Sequence, residues 1–146
     1  MNAREFLERY KIAGKKIEMY RQRIEDIETA APAGQKLDGQ PHGTKKSDAT
    51  ASAAAKAADM RITLEAWLME QERIQQEIVE VLGAVKDVNR FQVLKMRYLE
   101  EAPADSWQSI ANVLDKTVRH VQRIHGWALL EVQNIINSEY PNEVCR

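Results

Sequence analysis

The sequence predicts an all-α protein: a long N-terminal antiparallel helical hairpin of the coiled-coil kind, then a C-terminal helix-turn-helix domain. Three observations predict it. Apolar residues recur at alternating steps of three and four over two long stretches, the spacing of one helix face. Glycine and proline are sparse and cluster outside those stretches. Residues 105–132 read as two short amphipathic helices joined by a tight turn. A chain of 146 residues has room for one domain, or for one small domain and an extension. The expected division is a hairpin over 1–86 and a helix-turn-helix domain over 87–140.

The first helix is expected over 2–29. Ala3, Phe6, Tyr10, Ala13, Ile17, Tyr20, Ile24 and Ile27 follow a heptad seam without a miss. Gly14 is its one weak helix former. Residues 31–56 hold Pro32, Gly34, Gly39, Pro41 and Gly43, then small and polar residues without periodicity. That composition predicts a flexible connector whose alanine-rich end leads into the next helix. The heptad resumes near Ala57 and runs through Met60, Leu64, Trp67, Gln71, Ile74, Ile78, Val81 and Val85. Gln71 is its polar exception, and one polar seam residue fixes register at some cost in stability. The pattern fades at 87–89. A further helix over 90–99 carries Phe91, Leu94 and Tyr98, and Pro103 disfavours its continuation.

Charges flanking the seam choose a direction. Arg9, Lys16 and Arg23 occupy one flank of the first helix, and Thr63, Glu70 and Glu77 the matching flank of the second. Antiparallel packing brings these flanks together, with Phe6 opposite Ile78, Ile17 opposite Trp67, and Ile24 opposite Met60. It sets Arg9 near Glu77 and Lys16 near Glu70. Exposed pairs of this kind contribute only ~0.2–1 kcal/mol each, so they select orientation while the apolar seam supplies cohesion. A slip of one heptad preserves the seam, and the hairpin can form within one chain or between two.

Within 105–132, Trp107, Ile110, Ala111 and Leu114 form a helical stripe. Asp105 or Ser106 is placed to cap its start. The turn is Leu114-Asp115-Lys116-Thr117, and Thr117 is placed to cap the helix that follows. That helix is expected to bury Val121, Ile124, Ala128, Val132 and Ile135. Lys116, Arg119, His120, Gln122, Arg123 and His125 alternate with the buried positions, with no acid among them. A helix-turn-helix has this appearance when its second helix enters a DNA major groove. Taken alone, the same pair of helices also occurs in plain helical bundles.

Residues 92–132 resemble region four of bacterial primary sigma factors, the domain that reads the upstream promoter element. Val93-Leu94-Lys95-Met96-Arg97-Tyr98 matches its opening helix, and Trp107, Ile110, Ala111 and Leu114 match its second. Thr117 followed by Val121, Ile124, Ala128 and Leu129 matches its third. The resemblance implies base contacts from Val118, Arg119, Gln122 and Arg123. Arg119 and Arg123 would then donate bidentately to guanine O6 and N7, and Gln122 would pair with adenine. Lys116, Thr117 and His120 at the helix entrance suit phosphates. Val118 stands where the family usually has arginine, and Trp127 replaces a basic residue, so a different promoter sequence is implied. Nothing resembles the promoter-opening region of a complete sigma factor.

The layout is also similar to small phage and prophage proteins described as late-gene transcriptional regulators, of the RinA and ArpU kind. That resemblance implies double-stranded DNA as partner, contact with host RNA polymerase, and a hairpin that supplies dimerisation or partner docking.

Composition narrows the alternatives. Net charge is −1, so nucleic-acid affinity has to come from a local basic face. A single such module binds weakly, and tight binding needs a dimer or a partner protein. No run approaches the ~20 apolar residues of a membrane span. The N-terminal MNAREFLERY lacks a signal core, and the single cysteine, Cys145, allows no internal disulfide. These features fit a soluble protein of a bacterial host cytoplasm. His120 and His125 are five apart and cannot share one helix face as metal ligands, His42 lies in the connector, and no phosphate-loop, nucleophile-elbow or paired-cysteine motif occurs. Neither an enzyme nor a cofactor or metal is expected. His125 reads as a partly buried, locally bonded helix histidine, and Trp127 as a core residue. Two other classes fit the pattern: a packaging component like a phage small terminase subunit, and a helical interaction module without DNA binding.

Overall fold

Alternating three- and four-residue steps become two long helices. The computed structural model describes residues 1–33, 45–100 and 106–141. Its regular elements are α1 (Ala3–Ala33), α2 (Lys45–Gly83), α3 (Val88–Leu94), α4 (Trp107–Leu114) and α5 (Val118–Glu139). A π turn, Lys95–Leu99, extends α3. The described residues contain no strand, and the protein is all-α. The alanine-rich end of the expected connector does continue into the next helix, and α2 opens further back still, at Lys45. The alanines at 51, 53, 54 and 55 explain this, because alanine forms helix without any seam to bury. Residues 34–44 of the expected connector, and Pro103 and Asp105, lie outside the described residues.

Side-chain oxygens start the three shorter helices. The Asp87 carboxylate accepts from the Arg90 N–H at 3.0 Å, Ser106 Oγ from the Ser109 N–H at 3.0 Å, and Thr117 Oγ1 from the His120 N–H at 3.2 Å. Each satisfies an N–H that the first helical turn leaves unpaired.

The chain forms two compact units, Ala13–Gln71 and Met1–Ile12 with Glu72–Arg146. In the first, the α1 and α2 segments run antiparallel. Glu28 pairs with Arg61, and Lys16 Nζ stands 4.4 Å from the Trp67 ring centroid. A Cβ added to Gly14 would lie 3.2 Å from the Gln71 amide nitrogen, so the one glycine of this seam faces its one polar residue. Ala13, Ile17, Ile24 and Ala57 are buried, whereas Tyr20, Met60, Leu64 and Trp67 are only half-buried.

The second unit holds the larger core. Arg9 meets Glu77 at 2.8 Å, the pair that the charge pattern predicts, and Arg73 also meets Glu77. Leu7 lies off the heptad seam yet is wholly buried. The first turns of α1 have a further neighbour there, since the Ala3 N–H donates to Gln133 Oε1 of α5 at 2.8 Å. Glu131 of α5 accepts from the Lys86 N–H at 3.2 Å and pairs with Arg90 at 2.9 Å. These ties join α5 to the first turn of α1 and to the start of α3, which places all three in one compact unit. The apolar line along α5 runs Val121, Ile124, Ala128, Val132 and then Ile136. Ile135, expected inside, is half-buried: a step of four from Val132 carries the line to its neighbour.

Candidate nucleic-acid interface

The α4–α5 turn is built without glycine. Asp115 adopts φ 53°, ψ 49°, the left-handed conformation that ends α4. The Lys116 N–H donates to the Ala111 carbonyl at 2.9 Å, and the Asp115 N–H to Asn112 at 3.4 Å. This is the Schellman arrangement, in which two otherwise unpaired carbonyls of the last turn find donors. Thr117 then caps α5. Two helices are therefore joined with only two residues between the turn-closing Asp115 and the first residue of α5.

Val93, Met96, Ile110, Ala111, Val121 and Ile124 form the core beneath the turn, with Trp107, Leu114 and Val118 packed against it. Val118, counted among the base-reading positions, is thus half-buried and turned toward the core. The remaining positions divide cleanly. Thr117, Arg119, Gln122 and Arg123 are exposed, and Lys116 and His120 are half-buried. Arg119, Gln122 and Arg123 lie three and four residues apart, so they share one face of α5. No acid occurs between Lys116 and Leu130, and the partial positive charge of the helix N-terminus adds to theirs. Such a face can donate hydrogen bonds to anionic or acceptor-rich surfaces.

His125 is placed differently from expectation. It is 6% exposed, and its Nε2 lies 2.7 Å from the Tyr98 hydroxyl, a partner 27 residues away in sequence. Its ring meets the Trp107 ring edge-on, with centroids 4.9 Å apart, and Trp107 is covered in turn by the Arg97 guanidinium at 4.3 Å. Burial, with Arg4 and Arg97 nearby, lowers the His125 pKa to about 4, so it is neutral near pH 7. Burial raises that of Tyr98. This stack ties the π turn, α4 and α5 behind the exposed face. A histidine at a buried helix position and a tyrosine within an apolar stripe were both visible in the sequence. Their pairing was not, because it depends on the π turn, in which the Glu100 N–H donates five residues back to Lys95.

Trp127 also departs from expectation. It is 45% exposed, not a core residue, because it follows Arg123 by four residues and so continues the solvent side of α5. The Arg90 guanidinium lies 6.0 Å from its ring centroid. Among the described residues no cluster of three or more His, Cys, Asp or Glu side chains could hold a metal, and no helix is long and apolar enough to cross a membrane.

Comparison with known protein families, with curated proteins and with solved structures gives no match to this chain.

Proposed function

We propose that this protein is a sequence-specific DNA-binding transcriptional regulator of phage or prophage origin, with residues 117–138 as a recognition helix in the major groove. One observation carries the reading: Arg119, Gln122 and Arg123 stand exposed on a single acid-free face at the start of a capped helix, directly after a tight interhelical turn. In this reading Arg119 and Arg123 donate to guanine and Gln122 pairs with adenine. Thr117, Lys116 and His120 contact phosphates and set the register of the helix on the duplex. The buried His125–Tyr98–Trp107 stack contacts no DNA and acts by positioning α5. The likeness to sigma region four and to phage late-gene regulators supports double-stranded DNA as the partner, host RNA polymerase as a second contact, and the bacterial host cytoplasm as the place of action.

Selection of bound fragments from a random DNA pool tests the reading, followed by gel shifts on the selected sequence. Arg123→Ala is expected to cost ~1–3 kcal/mol of discrimination between selected and scrambled DNA, with helical content unchanged. Equal discrimination by wild type and variant would remove Arg123 from the reading surface.

A further inference from the structure

We infer that a second copy of this chain docks on the Ala13–Gln71 unit, laying its own exposed α2 stripe over the groove between α1 and α2. The groove is open and holds ≈ 440 Å³. Ile24, Leu64 and Leu68 form its floor, and Arg21, Glu25, Glu28, Arg61 and Glu65 its rim. On both walls the lining residues recur at helical spacing over two turns, a length of about 10 Å. A stretch of two helical turns matches that length.

Three observations identify that helix as this chain's own α2. First, Ile62 and Met69 are 67% and 72% exposed and stand seven residues apart on one line of α2, beside the groove wall. Their spacing of about 10 Å equals the length of the groove. Second, the rim carries both signs of charge. Arg61 and Glu28 pair with each other, but Arg21, Glu25 and Glu65 have no ion-pair partner among the described residues. A patch with both signs is self-complementary about a two-fold axis, where the cation of one copy can meet the acid of the other. Third, two helices alone leave the seam of this unit underfilled, with Tyr20, Leu64, Trp67 and Leu68 half-buried. A net charge of −1 opposes no such association at long range. The pairing surface stands independently of DNA. Only its purpose, bringing two copies of the α5 face to one DNA site, rests on the proposed function.

Sedimentation equilibrium of the full chain without DNA tests the inference. The expected mass is twice 16.7 kDa. Ile62→Glu and Met69→Glu change side chains that are mostly exposed, so the fold should survive, as circular dichroism will verify. Each is expected to shift the chain to single-copy mass. Arg21→Glu should raise the dimer Kd about tenfold, and adding Glu65→Arg should restore it. A single-copy or ring-sized mass for the wild type overturns the proposal, as does a dimer that Ile62→Glu and Met69→Glu leave equally tight. A monomer that still selects a DNA sequence refutes the pairing alone. A dimer that selects none refutes the DNA reading alone.

Discussion

The imidazole of His125 keeps its place as a neutral group because leaving water costs the charged form more than the Tyr98 hydroxyl returns. The sign of its effect on stability follows. Its folded pKa of about 4 lies below the ordinary 6.5, so the unfolded chain takes up the proton first as pH falls. This contribution to stability is present in full above pH 6.5 and is lost progressively as pH falls toward 4. Urea titrations across this window should show the decline in wild type. A Tyr98→Phe/His125→Phe double variant, which leaves no unpaired hydroxyl, should lose that contribution; an unchanged slope would show that other groups cause it. Asp115 carries a second residue-scale consequence. Its positive φ costs a side-chain-bearing residue ~1–2 kcal/mol, so Asp115→Gly should be neutral or stabilising. Asp115→Val should destabilise by at least that amount, and thermal melting of the three proteins will rank them.

At the scale of elements, hydrophobic spacing was the legible part. The heptad positions of α1 and α2 lie on one face, and the charge pattern alone paired Arg9 with Glu77. Ser106, Thr117 and the Trp107, Ile110, Ala111 stripe marked α4 and the start of α5, because capping and amphipathicity are local. What escaped was non-local. Leu7 is wholly buried although it lies off the heptad seam, one turn beyond the Ala3 that meets Gln133 of α5, and His125 bonds to a tyrosine presented on a π turn. The alanine-rich end of the connector was legible as the approach to α2, but the start of that helix at Lys45 was not, because alanine forms helix without the apolar period used to find one. Of the expected reading positions, Val118 alone packs against the core, since the first turn of α5 also has to close the core under the turn. Gly126 tests the description of α5 as a continuous helix with an open outer face. A Cβ there meets nothing within 4 Å, so Gly126→Ala should stabilise by ~0.5–1 kcal/mol. A lower melting temperature for this variant would mean that something covers the face.

For the whole molecule, electrostatics and assembly have to be considered together. A net charge of −1 provides no general attraction to DNA, so the proposed function requires the acid-free start of α5 to act as a local cationic patch. Binding through few phosphate contacts is weak and depends only modestly on salt unless two copies bind side by side. The dimer inferred from the Ala13–Gln71 groove would supply the second patch. The central claim, that the outer side of early α5 is a DNA-reading surface, is tested most directly by NMR. The isotope-labelled chain is titrated with the fragment that it selects from a random pool. The account predicts that signals of residues 116–123 move most, with the side chains of Arg119, Gln122 and Arg123 leading and those of Val121, Ile124 and Val132 nearly still. Shifts confined to other parts of the chain, or none at a DNA concentration that saturates gel-shift binding, would contradict it.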